Sequence, residues 1–182
     1  MYKLGREVAG EWVEHSHPPL FSTERVGERE RLRIGVPGGD PLVLRGLARQ
    51  LQEPLFILYV LHTPRGEGEE GRYQSPEVSY AEVSGFIDEH AAFLRGDARF
   101  DIWIYSPQME ATLAWDRHNW LFAYGPLVPF RAELHALGFQ EGRLEPLPDH
   151  MHHYRHELDA KAASVLAAFD WHRTPLRPGD EQ

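Results

Sequence analysis

The sequence predicts an α+β domain: a mixed, largely antiparallel sheet of about five strands, including a C-proximal three-strand meander, with helices packed on it. Three observations carry this expectation. Residues 100–126 read FDIWIYSPQMEATLAWDRHNWLFAYGP, three β-type runs whose connections are too short to join anything but antiparallel neighbours. Residues 54–61, PLFILYVL, are almost continuously apolar, as a central strand buried on both faces is. Elsewhere, apolar residues recur every three or four positions, the period of a helix with one buried face.

Taken in order, residues 1–28 form a mixed N-terminal segment in which Glu11-Trp12-Val13-Glu14-His15 can make a short strand. Residues 24–33 alternate acids and bases, the pattern of a solvated face or a strand edge. Leu32, Ile34 and Val36 then alternate with Arg31, Arg33 and Gly35, a half-buried strand. Pro37-Gly38-Gly39 turns the chain, and Asp40-Pro41 supplies an N-cap and a first-turn proline for a helix over 41–52. Residues 65–76 read as a flexible loop. Their core, GEGEEG at 66–71, offers no apolar surface to offset the entropy of ordering it.

An amphipathic helix is predicted over 76–94, with Val83, Phe86, Ile87, His90 and Phe93 on one face. The meander follows it. A short helix over 129–137 stops at Gly138, a connector spans 141–149, and a last helix is expected over 150–169. Residues 171–182 form a proline-containing tail. No internal repeat interrupts residues 1–182, which read as a single domain.

Composition narrows the function classes. With 42% hydrophobic and 12% aromatic residues in 182, the chain can bury a sizeable core. A net charge of −9 argues against a nucleic-acid backbone as partner, since phosphates are met by clustered Lys and Arg; it is compatible with a protein partner. There is no cysteine, which excludes disulfides, thiolate-bound zinc and thiol nucleophiles. No apolar run reaches membrane-spanning length and the first thirty residues lack a secretory apolar stretch, so a cytoplasmic protein is expected.

Three groups of residues are candidate sites. Residues 149–157 read DHMHHYRHE. As a helix, this segment places His152 and His156 one turn apart on one face; as a strand, it places His150 and His152 on one face instead. Either pair suits zinc or another divalent transition metal, with a further ligand drawn from His15, His17 or His118. The HExxH arrangement is absent. Asp116 and His118, at a hairpin tip, are candidate catalytic residues, an acid able to orient an imidazole; an ordinary turn uses the same residue types. Trp103, Trp115, Trp120 and Tyr124 give the meander more aromatic surface than one buried face uses, and are candidate partner-binding residues.

In size, charge and class the chain is similar to small mixed-sheet immunity or adaptor domains. The sequence thus favours a non-catalytic protein-binding role without a cofactor, using the aromatic sheet or the acidic region 67–89. The alternative is a metal-dependent hydrolase centred on residues 150–156.

Overall fold

Alternation along the strands separates the molecule into a covered and an open side. The computed structural model describes residues 1–180. The meander comprises β7 (Phe100–Ser106), β8 (Ala111–Trp115) and β9 (Trp120–Tyr124), paired antiparallel as the sequence predicts. On one face Phe100, Ile102, Ile104, Leu113, Leu121 and Ala123 are buried. Asp101, Trp103, Thr112, Ala114, Phe122 and Tyr124 are only half-buried on the other. Successive side chains in a strand point to opposite faces, which is how one stretch of sequence makes both.

The meander is the centre of a larger sheet. Its other members are β3 (Leu20–Val26), β4 (Arg29–Gly35), β5 (Phe56–Leu61), β6 (Gly71–Gln74), β10 (Gln140–Glu141) and β12 (His172–Thr174). The spatial order is β10-β3-β4-β9-β8-β7-β5-β6-β12. Every pairing is antiparallel except that of β10 with β3. Among the described residues this sheet has nine strands, more than the five or so expected. The extra ones are β3, which forms a hairpin with β4, and the short strands β6, β10 and β12, of which β10 and β12 are the sheet edges. A second sheet, of order β11-β1-β2, joins β1 (Leu4–Val8), β2 (Glu11–Glu14) and β11 (His150–His152).

Helices α1 (Pro41–Ala48), α2 (Tyr80–Gly96), α3 (Leu127–Ala136) and α4 (Asp159–Ala167) contribute to the core on the covered face. Asp40 caps α1 by accepting from the Leu42 backbone N–H. A reciprocal Ser79–Glu82 capping box starts α2, several residues later than the predicted start at 76. Phe93 of α2 stacks on Phe100 of β7, with ring centroids 5.0 Å apart, so this helix packs the meander as expected. No helix among the described residues is long and apolar enough to cross a membrane.

Two local expectations are corrected, and the proline-containing tail takes a defined path. The helix predicted over 150–169 is confined to Asp159–Ala167; its first residues pair with β1 as strand β11. The tail after residue 171 begins as β12 and continues into a short 3₁₀ turn whose Asp180 pairs with Arg72. The loop at 66–71 is tied down instead of free. Glu67, with a side chain 1% exposed, lies against Arg99 (3.0 Å), and the Glu69 carbonyl accepts from the Tyr73 hydroxyl (2.6 Å).

Arg99 is fully buried and uses its whole guanidinium. It binds Asp97 bidentately (2.8 Å and 2.8 Å), Glu67, Asp159 (2.9 Å) and the Arg155 carbonyl (3.1 Å). Removing it would leave the buried Asp97 and Glu67 carboxylates without their counter-charge. Arg99→Ala is therefore expected to cost about 3–5 kcal/mol, read as a shift in urea-unfolding midpoint. Arg99→Lys should recover little, because an ammonium cannot fork. A loss below about 1 kcal/mol, the range of an exposed ion pair, would contradict this account.

Candidate functional site

The hairpin between β8 and β9 is where the site begins. Asp116 occupies its first position, and the Asn119 N–H closes the turn onto the Asp116 carbonyl (3.1 Å). Asn119 sits at φ 62, the left-handed region that asparagine tolerates better than most side chains. The Asp116 Oδ1 atom accepts from the backbone N–H of His118 and of Trp120, both at 2.9 Å. Its other oxygen lies 3.4 Å from His118 Nδ1. Asp116 therefore shapes the turn and aims the imidazole it carries.

Long-range contacts hold this tip in place. Lys3, fully buried, donates to the Asp116 carbonyl (3.3 Å), with its ammonium 4.0 Å from the Trp115 ring centre. Burial lowers its pKa to about 8 against the pull of Asp116, Asp101 and Asp97. His17 donates from Nε2 to the His118 carbonyl (2.8 Å), and its ring lies over Trp120 with centroids 3.8 Å apart. Gly35 makes room for it: a Cβ there would come within 2.7 Å of the His17 Cβ. Behind the tip, Asp101 accepts from the Arg117 N–H (2.8 Å), and His62 Nε2 lies 3.0 Å from its other oxygen.

Strand β11 completes the site. His150 and His152 are two residues apart on a strand, so they share a face, and that face meets the hairpin tip. Ring centroids are 4.8 Å apart for His118 and His152, and 5.2 Å apart both for His118 and His150 and for His150 and His152. One nitrogen from each ring lies within 4.8 Å of the other two. His150 Nδ1 donates to the Pro148 carbonyl (3.0 Å) and His118 Nδ1 faces Asp116. Each of these two rings therefore keeps a lone pair on Nε2. The Nε2 atom of His152 is buried without a hydrogen-bond partner. Three imidazoles with converging nitrogens match what a borderline divalent cation such as zinc takes.

Electrostatics keep two of the rings around the tip neutral. His152 is lowered to about 3, by burial first and then by the nearby His118, His150, Arg117 and Lys3. His17 is lowered to about 4, again chiefly by burial. A cavity of about 420 Å³ opens beside the cluster, with Asp116, His118 and Asp101 at one end and Trp103, Ala114 and Phe122 along its floor.

The structure separates other candidates. His156 lies beyond β11 in a short 3₁₀ turn, its side chain 83% exposed and next to Glu157. It is not part of the cluster, so the helical His152–His156 pair does not exist. The strand ladder with β1 forces the alternative pairing, His150 with His152. Of the aromatic candidates, Trp115 is 1% exposed on the covered face. Trp120, 5% exposed, lies beneath Arg33 (3.9 Å) and His17. Trp103 and Tyr124 are half-buried on the open face, where Arg72 and Arg31 lie over them. Neither buried tryptophan can serve as partner-binding surface. Lys3, His62 and Asp101 escaped the sequence reading as site residues, since each reaches the tip only through strand pairing.

Comparison of the chain with protein families, curated proteins and solved structures finds no match.

The neutral rings have a pH consequence. In the unfolded chain an imidazole takes its proton near 6.5, whereas folded His17 and His152 do so only near 4 and 3. Below 6.5 the unfolded state binds more protons, so folding weakens. The stability from these rings is complete above pH 6.5 and lost as pH falls toward 4 and 3. Burial lowers His15, His90 and His153 as well, which adds to the slope. The urea midpoint is expected to fall between pH 6.5 and 4.5, and less steeply in His152→Asn. A midpoint flat over that interval would contradict buried neutral rings.

Proposed function

We propose that the protein is a metal-dependent hydrolase holding a divalent transition metal, zinc foremost, on His118, His150 and His152. One observation carries the reading: an imidazole from the β8–β9 turn and two from β11 converge, beside a cavity that His118 lines and that is large enough for a small molecule. Three nitrogen ligands leave a fourth position open, as hydrolytic zinc sites do. A metal there would bring a bound water to a pKa near 7. It would thereby supply the nucleophile for hydrolysis at an electrophilic carbon. Within the chain, Asp116 fixes the His118 tautomer, the carboxylate–imidazole support that raises ligand basicity. Lys3 and His17 hold the tip that carries both. A cytoplasmic location is part of the same reading.

A second reading, binding of another protein in the manner of an adaptor or immunity domain, has one observation in its favour. Tyr105, 42% exposed, forms an apolar patch with Phe56, Leu58 and Trp103 on the open sheet face.

Calorimetric titration with zinc at pH 7.5 separates the two. The first reading expects one zinc per chain. His118→Ala and His152→Ala should each lose saturable binding, while His156→Ala leaves it unchanged. Asp116→Asn should weaken binding by about 10–100-fold, the usual cost of losing a carboxylate behind a metal-bound imidazole. An untitratable wild type would leave the protein-binding reading standing.

A further inference from the structure

We infer that the cavity takes a flat aromatic ligand bearing a metal-coordinating oxyanion, with the ring over Ala114 and the oxyanion at the histidines. The inference rests on the metal reading above and deepens it by naming a ligand class. Its basis is the sequence of β8. On the open face this central strand presents only Thr112 and Ala114, both short. Register places Ala114 between Trp103 of β7 and Phe122 of β9. The outer two of three adjacent strands lie roughly 10 Å apart. A small residue between two aromatic ones therefore leaves a trough one ring wide, with π surface on both walls. The Phe122 wall is held upright by Arg31, whose guanidinium carbon lies 4.2 Å from the ring centre.

The trough runs to His118, the member of the histidine cluster that lines the cavity. Asp116 is the next residue on this face after Ala114, about 7 Å along the strand, and it supports His118. Charge then decides when the ligand binds. Asp101 and Asp116 share the histidine end of the cavity with Arg117, so the metal-free chain offers an oxyanion no net attraction there. A divalent cation on the three imidazoles would supply it. Ligand binding should consequently require the metal, while the ring supplies the selectivity.

The test uses the full chain and two hydroxamic acids that present the same chelating group to zinc. One is 2-naphthohydroxamic acid and the other acetohydroxamic acid. Zinc is titrated first, then each hydroxamate is titrated into the zinc-loaded chain. The naphthyl compound should bind at least about tenfold tighter, because only it fills the trough. In Ala114→Leu, with zinc stoichiometry as the control, that preference should disappear. Thr112→Leu narrows the same trough by a second route, with far-ultraviolet circular dichroism reporting the fold. The zinc-free chain should bind neither compound measurably. Zinc binding with equal affinity for both hydroxamates would overturn the trough while leaving the metal site intact. So would a preference unchanged in both variants. Failure of zinc to bind would overturn the metal reading itself.

Discussion

The buried guanidinium of Arg99 is the interaction on which the rest of the structure depends. It stands where β7 begins and collects carboxylates from three places: Asp97 after α2, Glu67 from the loop beyond β5, and Asp159 at the start of α4. Asp97 also accepts from the Arg155 N–H (2.8 Å), and Arg155 donates to the Gly96 and Tyr2 carbonyls. A single charge thereby fixes the segment that follows β11 against the end of the main sheet. A buried ion pair is poor evidence of stability on its own. Here its value is positional. It holds Arg155 and Asp159 in place, next to the β1 ladder that carries residues 150–152 to the hairpin tip rather than into the helix that their sequence suggests.

The open face of the main sheet has its own logic. Arg31 and Arg33 alternate along β4, and Phe122 and Tyr124 alternate along β9, with Arg31 opposite Tyr124 and Arg33 opposite Phe122. The guanidinium of Arg31 lies over Phe122, and that of Arg33 lies over Trp120. Stacking of this kind is favourable for both partners and leaves the polar edge of the guanidinium in water. An aromatic sheet face is thereby covered without a second layer of structure. Between β9 and β7 the cover is interrupted at Ala114, and that gap is the cavity.

The histidine cluster combines features that pull in different directions. Burial favours neutral imidazoles, and neutral imidazoles are what a metal requires. Yet buried nitrogens without partners are costly, and His152 Nε2 is one of them. A cation that used this lone pair would relieve the cost and gain the donor at once. The acid side chains nearby are already engaged: Asp116 with the turn it caps and with His118, Asp101 with the Arg117 N–H. They shape the site without competing for its centre.

How far the residues themselves determine this protein can be read element by element. The meander of 100–124 was legible because its strands are local neighbours, and alternation with short connections leaves one arrangement open to them. The capped helix after Asp40 was legible for the same reason, since a cap and a first-turn proline act within one turn of chain. His118 and the segment 149–157 stood out by residue type alone. Which histidines meet was not legible, because a helix and a strand give different partners and the choice came from β1, some 145 residues away in sequence. The loop at 66–71 misled for a related reason: its composition predicts freedom, but Glu67 is claimed by Arg99 from across the fold. The two faces of Trp115 and Trp120 were likewise decided by pairing and packing. Local propensity and period are written in neighbouring residues, whereas convergence of distant side chains depends on strand order and buried charge, which only the folded chain supplies.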